Sequence, residues 1–244
     1  MLEEFLNRRV LVTGAASGLG LQVAEMLIER GARVFGVDRD AAGLARRADR
    51  TGCSVATCDI ADPDAVQATV DNAGAALGGL DGLVNAAGIV HKSRVSETSV
   101  ADWLRVISVN LTGTFLVSRA CVPLLEESGD AAIVDVASGV ALVPFKELAA
   151  YAASKGGVIS LSKVMAMELG ARVRVNVVAP GTFDSPLFTK GKSDEQMAAA
   201  GANYAMGRVG RMSEVAEAIL FLLGKRSGFV TGTVLAVDGG RTFH

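Results

Sequence analysis

Short runs rich in Val, Ile and Leu alternate along the chain with longer stretches whose apolar residues recur at helical spacing. The runs are Arg9–Thr13, Arg33–Val37, Ser54–Asp59, Gly82–Asn85, Ala132–Val136, Arg174–Val178 and Thr233–Val237. Several are apolar at consecutive positions rather than alternate ones, as expected of strands covered on both faces. Strands that alternate with helices build βαβ units. The pattern therefore predicts an α/β fold, a doubly wound parallel sheet of about seven strands with helices on both faces.

The ends of the helical stretches support that division. Leu21–Arg30 carries apolar Val23, Leu27 and Ile28, and Gly31 follows as a C-terminal stop. Asp62 before Pro63 has the form of an N-cap and first helical residue, opening a helix toward Leu77. Ser99 with Asp102 resembles a capping box in which Asp replaces the usual Glu. No repeat, low-complexity tract or linker interrupts the chain, so residues 1–244 read as a single domain.

Composition narrows the class. With 244 residues the sheet can bury both faces, and 50% apolar with 20% charged residues describes a folded chain rather than a disordered one. A net charge of −2 with scattered Lys and Arg leaves no electrostatic footprint for nucleic acid. Met1–Arg9 holds Glu3 and Glu4 and no apolar core, so no secretory signal is expected. Arg119 and Asp135 interrupt the longest apolar stretches, short of the roughly 18 residues a membrane span needs. Cys53, Cys58 and Cys121 are odd in number and form no C-x-x-C pair, which predicts reduced, buried thiols and a cytoplasmic protein. His91 and His244 lack ligand spacing, so no metal is expected.

Thr13-Gly14-Ala15-Ala16-Ser17-Gly18-Leu19-Gly20 lies between the first strand and the first helix. Glycines let the backbone approach a pyrophosphate, and the following helix offers free N–H groups and the positive end of its dipole. Such turns also close ordinary βα loops, but this position favours a dinucleotide. Asp38 ends the second strand, where a carboxylate accepts hydrogen bonds from ribose hydroxyls and repels a 2′-phosphate. That favours NAD over NADP. Arg39 argues the other way, and Asp38 could also be a plain strand-ending loop residue.

Tyr151-Ala152-Ala153-Ser154-Lys155 sets Tyr151 and Lys155 at i and i+4, on one helix face. The pair is common on amphipathic helices. It also suits proton transfer, because a tyrosine of pKa about 10 becomes a usable base when an ammonium and a cationic nicotinamide favour its phenolate.

The Thr-Gly-x-x-x-Gly-x-Gly and Tyr-x-x-x-Lys motifs together resemble the short-chain dehydrogenase/reductase family, in order and spacing from Val10 to about Gly240. The resemblance implies a Rossmann-type fold in which Gly14, Ser17, Gly18, Leu19 and Gly20 cradle the cofactor phosphates. It assigns Asp59 and Ile60 to the adenine. Asn85-Ala86-Ala87-Gly88 resembles the family's Asn-Asn-Ala-Gly, with Ala86 replacing the second Asn. Ser138, 13 residues before Tyr151, corresponds to the serine that holds the substrate oxygen; Ala137 stands where a second serine is common. Asn110 matches the residue that kinks its helix and holds a water relaying protons to the lysine. Pro180, Gly181 and Thr182 follow the sixth strand, and Ser185 stands where a Thr usually contacts the nicotinamide carboxamide. Val237-Asp238-Gly239-Gly240 corresponds to the C-terminal signature.

The implied activity is NAD-dependent interconversion of a secondary alcohol and a ketone. Tyr151 is the general acid/base, Ser138 steadies the oxygen, Lys155 grips the ribose and Asn110 completes the relay. A substrate loop around residues 182–210, with Val140, Leu142, Phe145, Phe183, Leu187 and Phe188 nearby, suggests a small apolar or cyclic alcohol. Lys190 and Lys192 could meet an acidic carrier, though such a pair is usually just solvated; an NADPH-dependent 3-oxoacyl reductase, whose overall pattern is similar, is one rival and a non-catalytic NAD sensor another. Asp38 weighs against the first and the complete Ser138, Tyr151, Lys155 and Asn110 set against the second. The resemblance and the apolar segments Asn110–Leu125 and Tyr151–Leu169 predict a homotetramer.

Overall fold

The structure, a computed structural model, describes residues 4–51, 53–189, 191 and 193–242. Lys190, Lys192 and His244 lie outside the described residues, as does the side chain of Leu187. Strands β1 (Arg9–Thr13), β2 (Arg33–Asp38), β3 (Ser54–Thr57), β4 (Gly82–Asn85), β5 (Ala131–Val136), β6 (Val173–Pro180) and β7 (Val234–Val237) form one sheet. Its order is β3-β2-β1-β4-β5-β6-β7, parallel throughout. The order reverses between β1 and β4, where Thr13 pairs with Asn85. Ligands of such sheets bind outside the carboxyl ends of the strands at this reversal.

The helices are α1 (Gly18–Glu29), α2 (Ala41–Thr51), α3 (Pro63–Leu77), α4 (Val100–Ile107), α5 (Gly113–Ser128), α6 (Ala149–Leu169), α7 (Pro186–Thr189), α8 (Asp194–Gly201) and α9 (Met212–Leu223). Side chains leave a strand on alternate faces, which explains the continuous apolar runs. Val12, Val84 and Val134 pack one way, against Val23 and Leu27 of α1 and Ile219 and Leu220 of α9. Leu11, Leu83 and Ile133 pack the other way, against Val70 of α3, Cys121 of α5 and Met165 of α6. Each such side chain contributes about 1.5–3 kcal/mol on burial, so the sheet is held from both sides.

Several boundaries differ from the sequence pattern. Helix α1 starts at Gly18 instead of Leu21, because the glycine motif supplies the helix's own first turn, with Leu19 and Gly20 buried. Strand β3 stops at Thr57, before Asp59, and β6 runs on through Pro180. Asp62 caps α3 as expected, accepting from Asp64 N at 3.0 Å and Ala65 N at 3.1 Å. Ser99 accepts from Asp102 N at 3.0 Å, but its hydroxyl bonds back to the Asp102 carboxylate at 2.7 Å. Asp is one methylene shorter than Glu, so the reciprocal half of the box closes on the side chain rather than the backbone. A further correction concerns the apolar stretches. Val100–Ser128 runs as one helical stretch of 29 residues, long and apolar enough by length and composition to cross a membrane. Here Val117, Cys121 and Leu125 of it join the core.

Candidate active site

A cleft of about 500 Å³ opens at the carboxyl ends of the strands, lined from the β1, β2, β4, β5 and β6 loops. Gly14 sits at φ 73° with the backbone of Ala87 3.0 Å from where a Cβ would stand. The turn after β1 therefore lies directly on the segment after β4, and Ala87 N donates to Thr13 Oγ1 at 3.2 Å. Ser17 caps α1 without a side-chain hydrogen bond, and no acid occupies the helix's first turn. The positive pole of α1 thus faces the cleft uncompensated, as a phosphate-binding helix start requires. The glycine cradle, the free helix start and the carboxylate of Asp38 fit a dinucleotide.

Asp38 lines the cleft and also organises it. Its Oδ2 accepts from Ala16 N at 3.0 Å and its Oδ1 from Asp40 N at 3.0 Å. Arg39 and Asp40 line the same end. Asp59 and Ile60 line it too, and Asp59 Oδ1 accepts from Ala61 N at 3.0 Å. Cys58, which the sequence offered only as a buried thiol, is a lining residue beside them, and burial pushes its thiol up.

At the other end Ser138, Tyr151 and Lys155 come together. Ser138 ends the β5 loop, buried, with its Oγ accepting from Val140 N at 3.2 Å. It lies beside Tyr151, in the first turn of α6, and its side chain favours the Tyr151 phenolate. Lys155 reaches back from the next turn, with Nζ 6.0 Å from the Tyr151 ring centroid and donating to Val136 O at 2.6 Å. Burial lowers the Lys155 ammonium to about 8, partly offset by the charge of Asp135. Burial also pushes the Tyr151 phenol up, against a smaller lowering by Ser138. The expectation that Tyr151 is lowered is thus not met by the folded chain alone: desolvation of the phenolate outweighs its polar neighbours.

Asn110 is fully buried in a π-helical turn, Ser108–Thr112, that joins α4 to α5. Its Oδ1 accepts from Ile89 N at 2.8 Å, and its Nδ2 donates to Ile89 O at 2.9 Å and Ser154 Oγ at 3.0 Å. Ser154 in turn donates to Tyr151 O at 2.8 Å. Asn110 therefore ties the segment after β4 to helix α6. Gly88 lies between them, 3.3 Å from Asn110 Oδ1 and 3.4 Å from Lys155 Nζ as measured from a built Cβ. Ser154 was visible only as a letter inside the Tyr-x-x-x-Lys motif, because nothing in the sequence pairs it with Asn110.

Gly14, Ser17, Gly18, Leu19, Gly20, Ala86, Gly88, Pro180, Gly181 and Ser185 all line the cleft with these groups. Asn85 and Thr182 do not. The Asn85 side chain turns into the core beneath the carboxyl ends of the strands, to Ser118 Oγ at 3.0 Å and Asp135 Oδ1 at 2.8 Å. It ends a strand that is buried on both faces, so its amide meets core partners rather than the cleft. Thr182 N donates to the hydroxyl of Tyr204 at 3.0 Å, which fastens the segment after β6. Phe183 lines the cleft instead. Arg241 stacks on Phe145, its guanidinium carbon 3.7 Å from the ring centroid, joining the C-terminal segment to the loop after Ser138. Among the described residues no cluster of His, Cys, Asp and Glu could hold a metal.

Residues 14–242 match a family profile described as Enoyl-(Acyl carrier protein) reductase. The chain is 38% identical over 254 aligned positions to 2-(S)-hydroxypropyl-CoM dehydrogenase 3 of Xanthobacter autotrophicus, covering 99% of each. It is 42% identical to cis-4-hydroxycyclohexanecarboxylate dehydrogenase of Sinomonas cyclohexanicum, again over 99% of each chain. A solved short-chain dehydrogenase/reductase from Brucella melitensis, titled a glucose/ribitol dehydrogenase, superposes with a TM-score of 0.94 at 34% identity over the whole of both chains. With this sheet and cleft, those matches make the chain a member of the short-chain dehydrogenase/reductase family, an oxidoreductase acting on CH–OH groups.

Proposed function

We propose that the chain is an NAD-dependent dehydrogenase interconverting a small apolar or cyclic secondary alcohol and its ketone, with Tyr151 as general acid/base. The observation that carries this is the meeting of Ser138, Tyr151 and Lys155 at one end of a cleft whose other end holds Asp38. Bound NAD would supply the hydride acceptor. The start of α1 and the Gly14–Gly20 turn hold the phosphates, and Asp38 takes the adenosine ribose. Asp59 and Ile60 flank the adenine, Ala86, Gly88, Pro180 and Gly181 give it walls, and Ser185 holds the carboxamide. Ser138 fixes the substrate oxygen, Tyr151 takes its proton and returns it in the reductive direction, and Lys155 holds the nicotinamide ribose. Asn110 keeps the Ile89 backbone and Ser154 aligned with that proton path.

The apolar character rests on Val90 and Phe183 in the cleft wall, and the small or cyclic secondary alcohol on the relatives, which are named for hydroxypropyl-CoM and cis-4-hydroxycyclohexanecarboxylate. The reading also takes the protein to be cytoplasmic, its cysteines reduced, and a homotetramer. NAD(H) should be preferred over NADP(H) by at least about tenfold in kcat/KM, worth about 1.4 kcal/mol. Asp38→Ala should move the preference toward NADP(H) and weaken NAD, since its carboxylate also orders the Ala16 and Asp40 backbone. A panel of alcohols and ketones assayed with both cofactors tests this. Comparable activity with NADP(H) would show Arg39 outweighing the carboxylate, and no turnover of any CH–OH compound would end the reading.

A further inference from the structure

Beneath the catalytic face lies a carboxylate that the chemistry above does not use. Asp135 of β5 is completely buried. Its Oδ1 accepts from Asn85 Nδ2 at 2.8 Å, and its Oδ2 accepts from the Ser162 hydroxyl at 2.7 Å. Asn85 spends its amide hydrogens on Asp135 and Ser118 and leaves its own buried Oδ1 without a partner. These hydrogen-bonding partners are neutral. An asparagine could make the same bonds, and burying a carboxylate without a cation costs several kcal/mol. The buried cation is Lys155. It stands on the helix that carries Ser162, about two turns before it, and its ammonium bonds the carbonyl of Val136, the residue after Asp135.

We propose that Asp135 is a positioning residue: from beneath the carboxyl ends of the strands it supplies the counter-charge that keeps the buried Lys155 an ammonium. The proposal rests on the reading that Lys155 holds the cofactor ribose as a cation. Burial drives each group of the pair toward its neutral form, and their mutual attraction opposes both shifts. The other titratable or charged groups on the surrounding elements do not supply this charge. Tyr151 is a phenol that burial pushes up, and the Cys121 thiol of α5 is pushed up to about 12. Arg174 of β6 turns away to the carbonyls of Leu222 and Gly224 at the end of α9.

Asp135→Asn removes the charge while keeping the bonds. The new Oδ1 accepts from Asn85, and the new amide donates to Ser162, whose proton then goes to Val158 O, already 2.7 Å away. The dissociation constant of NADH is measured by fluorescence across about pH 6 to 10. In the wild type, affinity falls on an alkaline limb as Lys155 loses its proton. In Asp135→Asn that limb should move to lower pH by about one unit, with the alkaline limb of kcat/KM following it. Ser162→Ala, which withdraws a donor from the carboxylate, should move it the same way by less. A purely structural role would lower Tm and leave the limb where it was. An unmoved limb in Asp135→Asn, or in Ser162→Ala if the first variant does not fold, overturns the proposal alone. A wild type with no alkaline limb overturns it together with the Lys155 assignment.

Discussion

In the proposed mechanism Tyr151 gives up and regains a proton at working pH, yet the protein around it pushes its phenol up. A positive charge has to offset that burial, and Lys155, 6.0 Å from the ring centroid, is the group placed to supply it. Tyr151→Phe keeps the ring and deletes the hydroxyl, so turnover should fall by the 10²–10⁴-fold of a lost acid/base. NADH titration should show affinity within about twofold of wild type. Lys155→Ala should damage both turnover and affinity, and Ser138→Ala chiefly turnover. Retained turnover in Tyr151→Phe would refute the assignment. With Lys155 at about 8 and the Tyr151 phenol pushed up, alcohol oxidation should follow a bell in pH rather than a plateau, because it needs the phenolate and the ammonium together and the two limbs belong to the pair. Tyr151 and Lys155 were legible in the sequence because helix periodicity converts a spacing of four into one face, and Ser138 only through the family's spacing. Asp135 was not, since an acid inside an apolar run carries no sign of which buried amide or lysine it meets. Asn85 was assigned to the cofactor because its motif follows a strand, whereas the direction of its side chain is set by core partners on β5 and α5.

At the scale of elements, the join of β1 to α1 decides whether the cleft exists. The glycines of this turn do different work. A Cβ on Gly20 would collide with Gly14 O and stand 2.7 Å from Gly14 C, so only a bare backbone lets the turn fold against the first turn of α1. Gly18 sits at φ 55° with nothing within 4 Å of a built Cβ, so its constraint is conformational. Gly18→Ala should therefore fold at a cost of about 1–2 kcal/mol, seen as a drop of a few degrees in Tm. Gly20→Ala should lose more stability and abolish NADH binding, because the backbone N–H groups can no longer face the phosphates. Equal behaviour of the two in thermal melts and NADH titration would contradict this division. The strands were readable from their apolar runs, and α3 from Asp62 and Pro63. The start of α1 was not, because glycine reads as a helix breaker until tertiary contact with β1 and β4 overrides propensity.

For the whole molecule, the helices that carry the site also present the surface most in need of cover. The stretch from α4 to α5 holds Asn110 inward while Val100, Trp103, Leu104 and Phe115 face out. Helix α6 holds Tyr151 and Lys155 inward while Val164 and Met167, the latter 87% exposed, face out, and Phe229 is fully exposed. These exposed apolar side chains on neighbouring helices are where the proposed tetramer would form its contact. An isologous contact would let a second copy of the chain bury the same patch, and two such contacts give the tetramer. Light scattering at micromolar concentration should give a mass near four times 25.1 kDa. Met167→Glu, which would bury a charge in that contact, should lower the mass toward the single chain while leaving the monomer's cofactor cleft intact. Turnover should then fall more than NADH affinity, because the outward faces of these helices back the inward ones that align Asn110, Ser154 and Tyr151. A single-chain mass for the wild type would remove the tetramer, and dissociation with full turnover would show that the site needs no bracing from its neighbours.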